Sequence, residues 1–312
     1  MTHPENTPPI LLVALGGNAL IKKGQEGTAL QQLDNLKVTL RQIARLSERY
    51  RIIITHGNGP QVGNLLLQQE CCDAVPKMPL EILVAQTQGQ IGYMIESTLD
   101  SELMAQNLTT RPLVSLISYV VVDEHDPAFK TPTKPIGPIY TKKQAEKGAW
   151  PFQKTARGYR RVTFSPKPIT IVEKREIKQL INMGFIVICC GGGGIPVIRE
   201  GRAFSGIEAV IDKDLASARL AMEVGADLFV IATDVKGVAI NFGKHNQKML
   251  RKLTRKDAQN YLKAHHFPEG SMKPKVEAAL QFSSIPGKKA VIAFLEDIEK
   301  AVAGNAGTEF ID

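Results

Sequence analysis

Four glycine-bearing turns, each following directly on a largely apolar run, constrain this chain more than any other feature. They are Gly16-Gly17-Asn18, Gly57-Asn58-Gly59-Pro60, Gly191 to Gly194, and Asp234-Val235-Lys236-Gly237. The runs before them, Ile10 to Leu15, Arg51 to Thr55, Phe185 to Cys190 and Leu228 to Ala232, have the continuous apolar character of strands buried on both faces. A strand that ends in glycine lets the backbone approach a polyphosphate closely, and the helix that follows offers its unpaired N–H groups to the anion. One such turn is common. Four predict a phosphate site assembled from several strand ends.

Between these strands the apolar period lengthens. Leu30, Leu33, Leu36, Leu40, Ile43 and Leu46 recur at three- and four-residue steps, which predicts an amphipathic helix packed on the sheet. Helices are also expected over Gln61 to Gln69 and Leu80 to Gln106, with a strand from Leu113 to Val122. Farther along, helices near Glu173 to Met183, Asp214 to Val224, Thr254 to Lys263 and Ser271 to Ser283 alternate with the later strands. The chain closes with strands at Ala290 to Phe294 and Thr308 to Ile311. This order is that of an α/β fold, and no internal repeat is visible. From about Asp123 to Pro168 the alternation stops: seven prolines fall in this stretch and no period is sustained. Phe129, Ile136, Tyr140, Trp150, Phe152 and Phe164 give it enough apolar mass to fold. We read one domain over 1–312 carrying an inserted subdomain at 123–168.

Composition excludes several classes. At 312 residues and 43% hydrophobic, the chain has enough apolar mass for a large core. Its formal charge is +8, but the 39 basic residues are scattered and form no cluster or tail, so an anionic small substrate suits it better than nucleic acid. The four cysteines form two adjacent pairs, Cys71-Cys72 and Cys189-Cys190, a spacing unlike a disulfide framework or a zinc site. Reduced thiols in a cytoplasmic compartment are expected. Pro4, Pro8 and Pro9 stand among polar residues where a signal peptide would carry an apolar core, and no run reaches membrane-spanning length. A soluble protein is therefore expected.

Three nucleotide fingerprints narrow the class. No window satisfies the P-loop pattern, and the catalytic-loop signature of protein kinases is absent. A dinucleotide turn needs glycines at relative positions one, three and six, whereas Gly57, Gly59 and Gly63 put the third one residue too far. An NAD-dependent dehydrogenase built on that near miss stays open as an alternative, as does a nucleotide sensor without turnover.

The longer motifs resemble the carbamate kinase branch of the amino acid kinase family. They are Ala14 to Leu20, Thr55 to Gly63, Gly191 to Pro196, Ala209 to Ala216, Thr233-Asp234-Val235 and Gly270 to Val276. Within the inserted stretch, Asp126 to Phe129, Pro132 to Gly137 and Arg157 to Arg161 look like that family's protruding subdomain. The resemblance runs from about residue 10 to the C-terminus. It implies a three-layer α/β/α sandwich around a mainly parallel sheet, a homodimer, and reversible phosphoryl transfer between ATP and carbamate with Mg2+. A kinase of another small carboxylate or phosphate acceptor is the second reading.

Residue by residue, the resemblance implies that Lys213 contacts the transferring phosphoryl group, Lys275 reaches the ATP phosphates, Lys134 covers carbamate from the inserted stretch, and Asp214 holds the lysines. Gly16, Gly17, Asn18, Gly57, Asn58 and Gly59 would supply donors around the substrate. Thr233, Asp234 and Val235 would border the adenosine, with Phe242 flanking it or belonging to the core. Acetylglutamate kinase and its relatives carry a lysine two residues before the first glycine pair, where this chain has Ala14. The missing charge must come from Lys213 and Lys134, which argues against an amino-acid substrate. Each residue also has a plainer reading: Lys213 as a surface lysine bracketed by acids, Lys134 as a loop lysine, and Gly191 to Gly194 as turn residues only. Arg160 and Arg161 read as a solvated face, with anion binding or bracing as alternatives. The chemistry needs no imidazole or thiol, so His56, Cys189 and Cys190 are expected to be structural. No dedicated metal cage is expected either, because magnesium is commonly held by phosphates and water.

Overall fold

The structure, a computed structural model, describes residues 7–148, 150–155 and 158–311. Pro4 and Arg157, invoked above, lie outside the described residues. The chain opens with β1 (Ile10–Leu15) and a 3₁₀ turn over Gly17–Ala19, then α1 (Ala29–Leu46), β2 (Arg51–His56), α2 (Gly59–Glu70) and α3 (Leu80–Ala105). Thr28 begins α1 with a capping box to Gln31. Next come β3 (Leu113–Ser115), β4 (Tyr119–Val121), β5 (Lys134–Tyr140), α4 (Lys142–Lys147), β6 (Phe152–Thr155), β7 (Gly158–Thr163) and β8 (Thr170–Ile171). They are followed by α5 (Lys174–Asn182), β9 (Ile186–Ile188), the hairpin β10 (Ile195–Glu200) and β11 (Ala203–Gly206), α6 (Lys213–Val224) and β12 (Leu228–Thr233). The rest comprises β13 (Ala239–Ile240), β14 (Lys248–Met249), β15 (Lys252–Thr254), α7 (Arg255–Lys263), α8 (Met272–Ser283), β16 (Lys289–Phe294), α9 (Ile298–Val302) and β17 (Thr308–Ile311).

Eight strands form the main sheet in the order β15-β17-β16-β12-β1-β2-β9-β3. Neighbours β12, β1, β2 and β9 are parallel, so the four glycine-bearing turns emerge side by side at one edge. Within this sheet β16 and β17 pair antiparallel. Successive residues of β1 alternate between two cores. Ile10, Leu12 and Ala14 pack with Ile177 of α5, Ala216 of α6 and Val276 of α8. Leu11, Val13 and Leu15 pack instead with Leu40 of α1, Ile95 of α3 and Ile298 of α9. The result is a three-layer α/β/α sandwich, in which each fully buried leucine side chain contributes about 1.5–3 kcal/mol.

The run Leu113 to Val122, expected as one strand, is two strands in two sheets. β3 stays in the main sheet, and β4 joins a four-stranded sheet in the order β11-β10-β4-β8. The break lies at Ser118. The buried Gln88 side chain of α3 accepts from Ser118 N at 2.9 Å and donates to Ser118 O at 3.2 Å, replacing ladder bonds where the chain changes sheets. An apolar run cannot report a side-chain amide that reaches in from a distant helix.

Part of the aperiodic stretch forms a three-stranded antiparallel sheet, β5-β7-β6. It meets α2 backbone to backbone: a Cβ at Gly63 would lie 1.9 Å from Gly137 Cα. Arg160 donates to Gly137 O at 2.9 Å. The Arg161 guanidinium is 2.6 Å from Glu70 and stacks 3.6 Å from the centroid of the Trp150 ring. The solvated face expected for Arg160 and Arg161 is therefore corrected: Arg160 ties β7 to β5 within the sheet, and Arg161 braces the sheet against Glu70 of α2.

Candidate active site

The glycine-bearing edge of the sheet carries a cluster of charge built on the start of α6. Asp212 caps that helix, its Oδ1 accepting from Asp214 N at 2.9 Å and Leu215 N at 3.4 Å. Its Oδ2 accepts from Lys134 Nζ at the start of β5. Asp214, one residue into the helix, accepts from Lys213 Nζ on Oδ1 and from Lys275 Nζ on Oδ2, the latter at 2.8 Å. Three lysines from three distant parts of the chain thus converge on two carboxylates of one helical turn. Lys213 is only 8% exposed, which excludes the surface-lysine reading.

The charges are mutually dependent. Burial pushes the Lys213 ammonium below its ordinary value, and neighbouring Lys275 adds to that, while Asp214 opposes both. Lys275 is partly buried, but Asp214, Asp212 and Asp234 outweigh the desolvation and hold it above its ordinary value. Burial alone would raise the Asp214 carboxyl. Lys213 and Lys275 overcome this and keep it well below the usual carboxylate range. Three ammonium groups against two carboxylates leave one unit of positive charge at a site with little water, facing the first turns of two helices. Such a place favours a polyanion.

The glycine turns shape the surroundings. A Cβ at Gly57 would lie 3.3 Å from Lys213 Cδ and 3.4 Å from Gly17 N, so the lysine stem runs over bare backbone. The N–H groups of Gly16 and Gly57 are engaged by Ala232 O and Leu15 O, each at 3.0 Å, and do not face a ligand. Among the described residues, Gly17, Asn18 and Gly59 have no acceptor for theirs, and Gly59 lies against Pro135 beside Lys134. Asn58 is buried, and its amide donates to Thr87 Oγ1 at 2.8 Å. Gly191 to Gly194 act through turn geometry: Gly192, Gly193 and Gly194 have φ of 67°, 95° and 84°. A Cβ on Gly191 or Gly192 would meet His56 or Asn58.

Thr233 ends β12 buried, and its hydroxyl donates to Asp234 Oδ1 at 3.3 Å. Asp234 is exposed and contributes to the field at Lys275, which ties this turn to the lysine cluster. Val235 is half-buried. Phe242 is 59% exposed, which excludes the core alternative. His56 is fully buried, and desolvation takes it down to about 4, so the ring is neutral. Cys189 is buried and raised by its hydrogen bond to Cys190 and by burial, the state of an unreactive thiol.

For a divalent cation the donor set is telling. All four oxygens of Asp212 and Asp214 already accept hydrogen bonds. No group of three or more His, Cys, Asp or Glu side chains suited to a metal occurs among the described residues. These residues fit magnesium carried in on the nucleotide's phosphate oxygens and water. A cavity of about 780 Å3, lined by Tyr93, Asp100, Arg111 and Ser115 between α3 and β3, lies apart from the lysines. We place the site by its chemistry, because none of the charged cluster lines that cavity. Sequence reasoning missed Asp212 as a site residue, since its partner Lys134 stands 78 positions away. The Asp-x-Asp spacing around Lys213 was the available signal.

A mainly parallel three-layer sandwich with this cationic, amide-lined edge defines a phosphotransferase of small molecules. The chain belongs to the amino acid kinase family, which matches residues 9–293. It is 46% identical over 311 residues to the carbamate kinase of Thermococcus kodakarensis, an alignment covering 96% of this chain and 98% of that one. Its fold is similar to structures of Giardia lamblia carbamate kinase bound to citric acid and to AMP-PNP, with TM-scores of 0.92 and 0.89. Each is 37% identical to this chain, and the alignments cover 98% of this chain and 99% of the other. No described helix is long and apolar enough to cross a membrane.

Proposed function

We propose that this chain transfers a phosphoryl group reversibly between ATP and carbamate, giving ADP and carbamoyl phosphate. The observation that carries this reading is the convergence of Lys134, Lys213 and Lys275 on Asp212 and Asp214, in a member of the amino acid kinase family. In the forward direction a lone pair on the carbamate oxygen forms the bond to the γ-phosphorus as the bond to the bridging β,γ-oxygen breaks. That electron pair leaves on ADP, and no proton moves. The nucleophile is already anionic, so no general base is needed, and the chief obstacle is repulsion between two anions.

Lys213 contacts the transferring group, Lys275 the β- and γ-phosphates, and Lys134 covers the acceptor from the β5-β7-β6 sheet, which serves as the lid of a subdomain inserted at 123–168. Asp214 holds Lys213 and Lys275 in register without contacting substrate. The N–H groups of Gly17, Asn18 and Gly59 supply fixed donors to the oxygens where charge develops. Thr233, Asp234 and Val235 border the adenosine, and exposed Phe242 offers a ring at its outer rim. Mg2+ bound to the nucleotide neutralises phosphate charge. The same chemistry run toward ATP suits a catabolic role in arginine or purine breakdown in the cytoplasm.

A homodimer is also proposed. Exposed Tyr93 of α3 and exposed Ile117, just beyond the edge strand β3, line one hollow, a surface suited to a second copy. Light scattering should then give twice the mass of the chain. The reaction itself is tested by mixing purified protein with ADP, Mg2+ and carbamoyl phosphate. ATP should form, and it should not form when carbamoyl phosphate is left out. No ATP from carbamoyl phosphate would refute the assignment.

A further inference from the structure

We infer that Asp212 is a positioning residue that fixes the lid-borne lysine, Lys134, over the start of α6 and so sets where the β5-β7-β6 sheet docks on the reaction centre. The two aspartates divide the work. Asp214 takes both helix-borne lysines, one on each oxygen. Asp212 takes Lys134, the single lysine that comes from the other sheet. Its carboxylate is oriented before Lys134 arrives, because Oδ1 accepts from the backbone of Asp214 and Leu215. Oδ2 is thereby held at a fixed place on the first turn of α6.

The Lys134 stem has four carbons and no other ion-pair partner among the described residues, so Asp212 alone localises its charge. An ammonium has three donors. One on Asp212 leaves two for phosphoryl oxygens, so the pair need not break when substrate binds. Gly59, at the second glycine turn, meets Pro135 next to Lys134, and Gly63 meets Gly137 in the same strand. The ion pair thus completes a docking line along β5 that the backbone contacts begin.

The kinetic part of this inference rests on the phosphotransfer reading, whereas the docking part does not. Asp212→Asn keeps a side chain that caps helices as well as Asp does and removes only the charge. Lys134→Met removes the other partner without touching α6. Hydrogen exchange on the wild type, both single variants and the double variant should show amides of β5 and β7 exchanging about tenfold faster in each single variant, the size of one charge-assisted bond. The double variant should go no further, and α6 amides should keep their protection. In the ATP-forming assay Asp212→Asn should lower kcat about 10- to 100-fold, as expected for a misplaced catalytic group, with the KM for ADP within about twofold of wild type.

Its effect should vanish in the Lys134→Met background. Unchanged exchange in Asp212→Asn, or additive effects of the two substitutions, would overturn the inference. A wild type that makes no ATP would overturn the carbamate reading, and exchange alone would then decide the role of Asp212.

Discussion

Lys213 keeps its charge where burial opposes it, and this makes it the most informative side chain to change. Lys213→Ala should lower kcat by about 10²- to 10³-fold, the usual cost of one lost electrostatic contact to a transition state, while circular dichroism and the melting temperature show a folded protein. Near-normal turnover would exclude its role. The pH dependence follows from the signs. Because the folded value of Lys213 lies below its ordinary 10.5, the ammonium is lost before a free lysine would titrate. The alkaline fall in kcat/KM, which reports the free enzyme, should therefore begin below that pH. Asp214 behaves oppositely, since its folded value is depressed below the unfolded value of about 3.9. The stability it contributes is present above that unfolded value and lost as pH falls toward the folded one. Urea denaturation should show the wild type losing its margin over Asp214→Asn as the medium is acidified below about pH 4. These two residues were legible through the family resemblance, since the spacing by itself reads as a surface lysine bracketed by acids. Asp212 was not legible as a site residue, because one of its oxygens serves the local helix and the other a lysine from a different sheet.

Among the elements, α2 and β5 hold the contact most sensitive to a single methyl group. Gly63→Ala would put a carbon 1.9 Å from Gly137 Cα, backbone against backbone, where no side chain can yield. Overpacking of this kind costs about 1–3 kcal/mol, and because β5 begins with Lys134 the KM for carbamoyl phosphate should rise as the melting temperature falls. Gly89→Ala in α3 is the matching control. Its Cβ would meet nothing within 4 Å, so the substitution should stabilise the protein by about 0.5–1 kcal/mol. Calorimetry on the two variants should give shifts of opposite sign. Gly63 also illustrates how sequence reading can stray. Placed after Gly57 and Gly59 it resembles a displaced phosphate glycine, yet its function is to let a strand from another sheet touch the helix. Element type was readable wherever the apolar period ran long, as in α1. It failed at Leu113 to Val122, where the Gln88 amide redirects a uniformly apolar stretch.

At the scale of the whole molecule, the four turns gain meaning from strand order. The sequence shows four strands that end in glycine, but only the order β12-β1-β2-β9 puts their ends side by side. The continuous apolar run of β1 made a sheet covered on both faces readable, whereas neighbour relations depend on long-range packing that no local pattern encodes. The β5-β7-β6 sheet was visible only as aperiodic, aromatic-rich chain, because its three short strands are fixed by docking on α2 as much as by their own alternation. The central claim is that Lys134, Lys213 and Lys275 surround the transferred phosphoryl group. A crystal structure with ADP, Mg2+ and aluminium fluoride in place of that group tests it most directly. The account predicts fluorine atoms within about 2.7–3.1 Å of all three Nζ atoms and of Gly17 N. A nucleotide bound with its phosphates turned away from these amino groups would contradict it.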